Sequence, residues 1–398
     1  PVMAIHLDTF FLESDPDATL QHRIKRAVVE GILSGRYRSG ERMPSSRTLA
    51  KHLGISRITV TIAYTDLVAD DYLVARGRSG YFVSETAPSS PNFEFLQEES
   101  DTGFDWARIL NHRPPSAKTI TRPDDWQSYP YPFIYGQSDQ SLFDHQNWRL
   151  CALQALGQRD FAALTLDQYE RDDPKLVEYI QRNITTRRGI RARPENILVT
   201  MGAQNALWLT AQLLLTQRRI AVIENPGYRG FREILGETRC HVVEVDVDEH
   251  GLPPASLPEQ LDVVFTTPSH HSPTNATMPL GRRKELLRLA GEKGFVIIED
   301  DYEFELAFKR SPSPTLKSLD EAGCVVYVGS FSKSLFPGLR LGFMVAPSAL
   351  IEQARALRST IMRHPPWQIQ RNAANFLSLG HYNAQINRML SLIHISEP

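Results

Sequence analysis

The chain has 398 residues, 41% hydrophobic and 23% charged, which is enough for two or more domains with sizeable cores. No run of eighteen apolar residues occurs, and the opening PVMAIHLDTFFLESDPD lacks a basic stretch followed by a long apolar one. Membrane insertion and export are therefore not expected, and the expected location is the cytoplasm. The three cysteines, Cys151, Cys240 and Cys324, are scattered, with no CxxC or Cys/His clustering. They read as small buried hydrophobes in a reducing compartment, with no metal site.

Charge is unevenly spread. Residues 20–83 hold eleven Lys and Arg against five acids, a net of +6, which leaves −8 for the remainder of a chain whose formal net charge is −2. A basic module that meets a polyanion is joined to an acidic module that does something else.

In the basic module, LQHRIKRAVVEGILSGRY puts Ile24, Ala27, Val28, Ile32 and Leu33 on one helical face and stops at Gly35. SSRTLAKHLG is a second, short helix behind a serine cap, with Leu49, Ala50 and Leu53 inward. ISRITVTIAYTDLVADDYL is a third, capped by Ser56, with Val60, Ala63, Tyr64 and Leu67 inward and Arg57, Thr59 and Thr61 outward. A short helix, a glycine turn and a longer helix form a helix-turn-helix, whose second helix enters the DNA major groove. LVARGRSGYFV follows as a two-stranded wing turned at Gly77 to Gly80 and tipped by Arg76 and Arg78.

GERMPSSRTLAKHLGISRITV together with RGRSGYFV resembles the winged helix-turn-helix of the GntR regulator family. That resemblance implies that Ser46, Arg47, Arg57 and Thr59 face DNA, and that the wing around Arg78, Ser79 and Gly80 reaches an adjacent minor groove. With the caps and the wing tip, the candidate DNA-binding set is Ser45, Ser46, Arg47, Ser56, Arg57, Thr59, Arg76, Arg78, Ser79 and Gly80. The module spans 16–84, and the partner is double-stranded promoter DNA.

Residues 85–130 are rich in Ser, Pro and acids without sustained periodicity, a linker with one short helix at FDWARILN. From about 131 strand-like and helical runs alternate. NILVTMG, RIAVIENPG, HVVEVDVD, DVVFTTPS, FVIIEDD, VVYVGSFSK and LGFMVAP are short apolar runs, separated by stretches such as AQNALWLTAQLLL and GRRKELLRLAGEKG. This predicts a largely parallel sheet wrapped by helices, with polar groups at strand carboxyl ends converging on a ligand.

The polar residues at those ends are Gly202, Ala203 and Gln204, Tyr228, Ser272, Asp300, Tyr302, Ser330, Ser332 and Lys333. A lone Ser-Lys-Ser is ordinarily a solvated loop. Here a carboxylate, Asp300, ends one strand and the lysine follows another, the pair that a pyridoxal phosphate site needs for the ring nitrogen and the Schiff base. Ser330, Ser332, Arg340 and the helix start after MGAQ would supply phosphate donors. Tyr302 would meet the ring hydroxyl and Tyr228 would stack on the ring; Asp301 is an alternative to Asp300.

EDDYEFE followed by GSFSKSLFPGLRLGF resembles the fold-type I aminotransferase domain, and the Asp-x-Tyr spacing of that family favours Asp300. The two motifs in this order resemble the MocR subfamily of GntR regulators, and YPYPFIYGQSDQSLFD, RDDPKLVEYI, GAQNALWL and RHPPW are similar to its ectoine-utilisation branch, with taurine regulators next. The resemblance implies a multidomain chain: a winged helix-turn-helix plus an α/β fold-type I aminotransferase-like domain over 131–390, dimeric at full length. Its cofactor would be pyridoxal 5'-phosphate and Lys333 its Schiff-base lysine, sensing an amino compound by aldimine exchange rather than acting as an enzyme. A bifunctional transaminase is the alternative.

Two departures stand out. PSHHSPTNATM has Ser272 where aminotransferases carry an Asn near the ring hydroxyl, and Asn275 where they carry Gly; His270 and His271 read equally as packing residues or ligands. The stretch 391–398, SLIHISEP, is expected to break the helical pattern as a non-native tail, with the C-terminal subdomain and its carboxylate-binding arginine missing. Arg229 is then a weak local substitute for the effector carboxylate.

Overall fold

The computed structural model describes residues 4–12, 15, 17–88, 105–110, 123–131, 139–303, 305–306 and 313–395. They divide into two compact units, Pro1–Leu110 and Asn111–Pro398.

In the first unit, hydroxyls start all three helices, as the orphan N–H groups of a first turn require. Thr19 accepts from the His22 N–H at α1 (Leu20–Leu33), Ser45 from Thr48 at α2 (Ser46–Leu53) and Ser56 from Ile58 at α3 (Arg57–Ala69). Gly54 ends α2 in the left-handed conformation at φ 66°. Ile24 and Val28 of α1, Leu49 of α2 and Val60, Ala63, Tyr64 and Leu67 of α3 close one core. The wing follows as β1 (Leu73–Ala75) antiparallel to β2 (Tyr81–Val83), with Leu73 opposite Val83.

The packing takes in residues ahead of position 16. Ala4 bridges Arg42, the Ile5 N–H donates to the Arg42 carbonyl, and Phe10, 2% exposed, stacks on Tyr37 at 5.2 Å. No periodicity marks this segment; it joins by single anchors. The helix read in FDWARILN is present over Trp106–Ile109.

The second unit is built on seven strands: β3 (Ile197–Thr200), β4 (Ile220–Asn225), β5 (His241–Asp246), β6 (Val263–Thr266), β7 (Val296–Asp301), β8 (Val325–Ser330) and β9 (Gly342–Val345). Their order is β3-β9-β8-β7-β6-β4-β5. The β8, β7, β6, β4 and β5 run is parallel, and β9 is antiparallel to both neighbours. Strands β3, β6 and β8 are buried at every residue, as a sheet covered on both faces demands.

One face packs on Ala206 and Leu209 of the helix Gly202–Leu214, Ile234 of Arg229–Thr238 and Ile351 of Ser348–Met362. The opposite face meets Leu286 and Ala290 of Leu280–Lys293, and Leu176 and Phe376 of Pro174–Tyr179 and Trp367–Ser378.

The expectation for the last residues needs correction. The helix His381–Ile395 runs through most of SLIHISEP instead of breaking at 391. Among the described residues no helix is long and apolar enough to cross a membrane, and no three His, Cys, Asp or Glu residues gather as a metal site.

Candidate functional site

Parallel strands deliver their carboxyl ends to one edge of the sheet. β3 leads to Gly202, β4 to Tyr228, β6 to Ser272, β7 to Asp300 and Tyr302, and β8 to Ser330 and Lys333. Because β9 is antiparallel, Arg340, two residues before it, returns to this same edge.

Two adjacent carboxylates close β7 and differ in their surroundings. Asp301 is held by the buried Arg188, whose Nε donates at 2.9 Å, and by the Tyr327 hydroxyl at 2.8 Å. Arg188 also reaches the Ser269 hydroxyl. Asp300 is 4% exposed, and its Oδ1 makes no hydrogen bond among the described residues. Burial, then the charges of Asp301 and Glu224, push Asp300 up to about 8. Asp301 is thus already engaged, whereas Asp300, the carboxylate that the Asp-x-Tyr spacing favours, keeps a buried oxygen without such a partner among the described residues.

Glu224, at the end of β4, accepts from the Thr266 hydroxyl and from the N–H and hydroxyl of Thr267. The Thr267 hydroxyl in turn accepts the Ser272 N–H at 3.2 Å. His271 is buried with Nδ1 on the Thr274 hydroxyl and Nε2 3.4 Å from Glu224, so its contacts brace the loop that carries Ser272.

On the β3 side, Gly202 has φ +77°, and an added Cβ would stand 3.0 Å from Arg340 Nη2. Only glycine admits the guanidinium so close to the start of the helix Gly202–Leu214. That helix begins without a side-chain cap. Next to it the Tyr228 hydroxyl donates to Gln204 Oε1 at 2.9 Å. Burial and then Asp300 and Glu233 raise the Tyr228 phenol, while Arg340 lowers it. Gly230 leaves room for that ring: a Cβ there would lie 2.4 Å from it.

Lys333 sits in the turn after β8, half-buried. Burial lowers its pKa, and Glu303 works in the opposite direction. The Ser332 N–H donates to the Ser330 hydroxyl at 3.2 Å. Burial, with the Glu303 and Asp300 charges behind it, raises the Tyr302 phenol. Arg229, on the first turn of its helix, pairs with Glu233 at 3.0 Å, and its side chain is half exposed.

In the first unit the Arg57 Nε donates to the Ser46 hydroxyl at 3.3 Å, joining α3 to α2 on the outer surface. Arg47 is exposed and Thr59 half-buried. Ser45 and Ser56 serve as caps. Arg76 lies 4.9 Å from the Phe82 ring centre and pairs with Glu85 at 3.3 Å. The wing tip turns through Gly80 at φ +103°, with the Ser79 N–H on the Arg76 carbonyl; the Arg78 side chain lies outside the described residues.

Sequence reading missed Arg188, Tyr327, Glu224 and the Ser334–Tyr382 contact, in which the tyrosine hydroxyl donates at 2.7 Å beside the lysine turn. All are isolated residues far along the chain from their partners. No local signal marks them.

Comparison with known proteins gives both halves a match. Residues 20–83 fit the model of bacterial regulatory proteins of the gntR family, and 149–392 that of aminotransferase class I and II. The HTH-type transcriptional regulator TauR of Rhodobacter capsulatus is 58% identical, over 97% of this chain and 80% of its own length. The probable rhizopine catabolism regulatory protein MocR of Rhizobium meliloti is 29% identical, over 96% and 76%. Among solved structures, the Pyrococcus horikoshii kynurenine aminotransferase, in complex with PMP, superposes with a TM-score of 0.59 at 26% identity, covering 65% of this chain and 66% of that one. The α-aminoadipate aminotransferase LysN of Thermus thermophilus, complexed with N-(5'-phosphopyridoxyl)-L-leucine, gives 0.59 at 29%, over 65% and 67%. The chain thus spans about two thirds of the length of these structures.

Proposed function

Because the chain belongs to the MocR-like GntR regulators, in which a gntR-family helix-turn-helix precedes an aminotransferase class I and II domain, we propose that it is a transcription regulator whose second domain senses a primary amine. Pyridoxal phosphate is the cofactor of that domain. The observation that carries the reading is the buried Asp300 carboxylate, whose Oδ1 has no hydrogen-bond partner among the described residues, at the strand edge that also carries Lys333. A carboxylate so placed is costly without a cation. The protonated ring nitrogen is such a cation, so the residues present fit the group.

When bound, the cofactor supplies an aldehyde that condenses with primary amines and a ring that draws electrons once its nitrogen is protonated. Asp300 holds that proton. Lys333 supplies the resident amine, and its burial favours the neutral, nucleophilic form. Ser330, Ser332, Arg340 and the N–H groups of Gly202, Ala203 and Gln204 bind the phosphate. Tyr302, Tyr228 and Ser272 line the ring. The Asp301–Arg188–Tyr327 network holds the end of β7 and with it Asp300.

An effector that competes with Lys333 must carry a primary amine. Taurine and a diaminobutyrate derivative, the amines suggested by the two branches that the sequence resembles, both meet this requirement. Arg229, paired with Glu233, is a poor candidate for the acidic end of such a compound. The DNA side of the reading rests on Arg57, Ser46 and Arg47 at the exposed junction of α2 and α3; a homodimer on double-stranded promoter DNA follows from the same family reading.

The alternative, a transaminase with an appended DNA-binding module, draws on the aminotransferase fold. Ser272 in place of an amide side chain speaks against efficient turnover. Adding an amino donor and a keto acid to the cofactor-loaded protein separates the two. A regulator gives at most one equivalent of converted donor; sustained conversion, absent from Lys333→Ala, establishes the enzyme.

A further inference from the structure

The outward face of α3 is apolar where a helix that reads DNA by hydrogen bonding would be polar. Ile58 is 69% exposed and Ile62 44% exposed. Neither is needed for packing, since Val60, Ala63, Tyr64 and Leu67, all fully buried, already fill the core face of this helix. Positions 58, 61, 62 and 65 share one face of a helix. The two threonines among them do not restore polarity: Thr61 donates to the Arg57 carbonyl at 3.0 Å and Thr65 to the Thr61 carbonyl at 2.9 Å. Their hydroxyl protons are committed inside the helix, leaving methyl groups for the stripe.

Cations accompany the stripe. Arg57 precedes Ile58 and bonds Ser46 of α2, a helix on which Arg47 and Lys51 are exposed, and a polyanion suits these charges better than another basic protein surface does. Ile58 lies on the first turn of α3, the end that contacts base edges when such a helix enters the major groove. There a side chain without donors or acceptors is suited to the methyl group at C5 of thymine, the one apolar group that projects from a base edge into the major groove. We infer that Ile58 reads the 5-methyl group of a thymine and so sets base preference in the operator, with Ile62 flanking the same contact. This rests on the DNA-binding reading of the first unit.

The test selects duplexes from a random-sequence library with the full chain and with Ile58→Ala. Wild type is expected to enrich a consensus containing a T·A pair whose preference collapses in the variant. On the selected duplex, replacing that thymine by deoxyuridine removes only the methyl group. It should weaken wild type about 4-fold, the value of one buried methyl-sized group, and leave Ile58→Ala unaffected. Ile58→Val, which keeps the branched methyls, should retain the preference. An unchanged thymine preference in Ile58→Ala, or equal weakening of both proteins by deoxyuridine, overturns the inference. So does a loss of self-association in Ile58→Ala without a change of base preference, which would assign the stripe to contacts between copies. Failure of wild type to enrich any consensus would instead remove the DNA-binding reading itself.

Discussion

Asp300 and Asp301 are neighbours at the end of β7, yet Asp301 is gripped by Arg188 and Tyr327 while Asp300 Oδ1, equally buried, has no hydrogen-bond partner among the described residues. Successive residues of a strand face opposite sides of the sheet, so one carboxylate serves the scaffold and the other is left for a ligand. Asp300→Asn keeps the size and removes the charge. Cofactor affinity should then fall roughly 10- to 100-fold, the worth of a hydrogen bond to a charged group at about 1.5–3 kcal/mol. Titration of the cofactor against the variant checks this; affinity equal to wild type would mean that the ring nitrogen is not held there.

The same carboxylate makes a prediction about pH. Its pKa in the fold, about 8, lies above its ordinary 3.8, so the folded protein binds a proton that the unfolded chain releases. The stability this provides is complete below about 4 and is lost as pH rises through 8. Glu299 and Glu305, each pushed up to about 7 by burial, act in the same direction. The Tm of cofactor-free protein should therefore fall between pH 5.5 and 8.5, and less steeply in Asp300→Asn. Parallel slopes for the two proteins would contradict the assignment.

Removing one partner of the Arg188–Asp301 pair strands a buried charge. Arg188→Ala should cost about 3–5 kcal/mol in denaturant unfolding, whereas Tyr327→Phe, which loses one hydrogen bond to Asp301, should cost about 1.5–3 kcal/mol. Equal, small losses would show that the network does not hold the end of β7.

The helix-turn-helix was legible because its signals are local: Ser45 and Ser56 cap within three residues, Gly54 ends α2, and the inward residues of α3 recur at helical spacing. The strands of the second unit were legible as continuous apolar runs bounded by turn residues. The Asp-x-Tyr spacing already favoured Asp300, but the engagement of Asp301 was not legible, because Arg188 lies 113 positions from its carboxylate and only the fold brings them together. Phe10 joined the first core without any pattern around it. The helical backbone through Ile395 was also missed, since a short segment ending in Ser-Glu-Pro offers little periodicity of its own.

In the first unit, cap and contact should separate. Ser56→Ala removes the acceptor for the Ile58 N–H and should cost about 1 kcal/mol of stability. The exposed Arg57 side chain donates to Ser46, so Arg57→Ala should leave stability nearly unchanged and weaken DNA binding by roughly 1–3 kcal/mol on a selected site if it reads a base. Equal weakening on random DNA would reduce Arg57 to a phosphate contact, which salt titration would also reveal.

Lys333→Ala should abolish both the visible absorbance of the cofactor-loaded protein and covalent labelling after borohydride, with the fold retained by circular dichroism. A variant that still labels would move the reactive amine to another lysine.

An amine that displaces Lys333 in the second unit should alter DNA binding by the first. The most direct measurement is the affinity of cofactor-loaded protein for a selected duplex, with and without saturating taurine or diaminobutyrate, in wild type and Lys333→Ala. Wild-type affinity should change with at least one of these amines, and that of Lys333→Ala with neither. An equal change in both proteins, or none in wild type although the amine shifts its visible spectrum, would contradict this coupling.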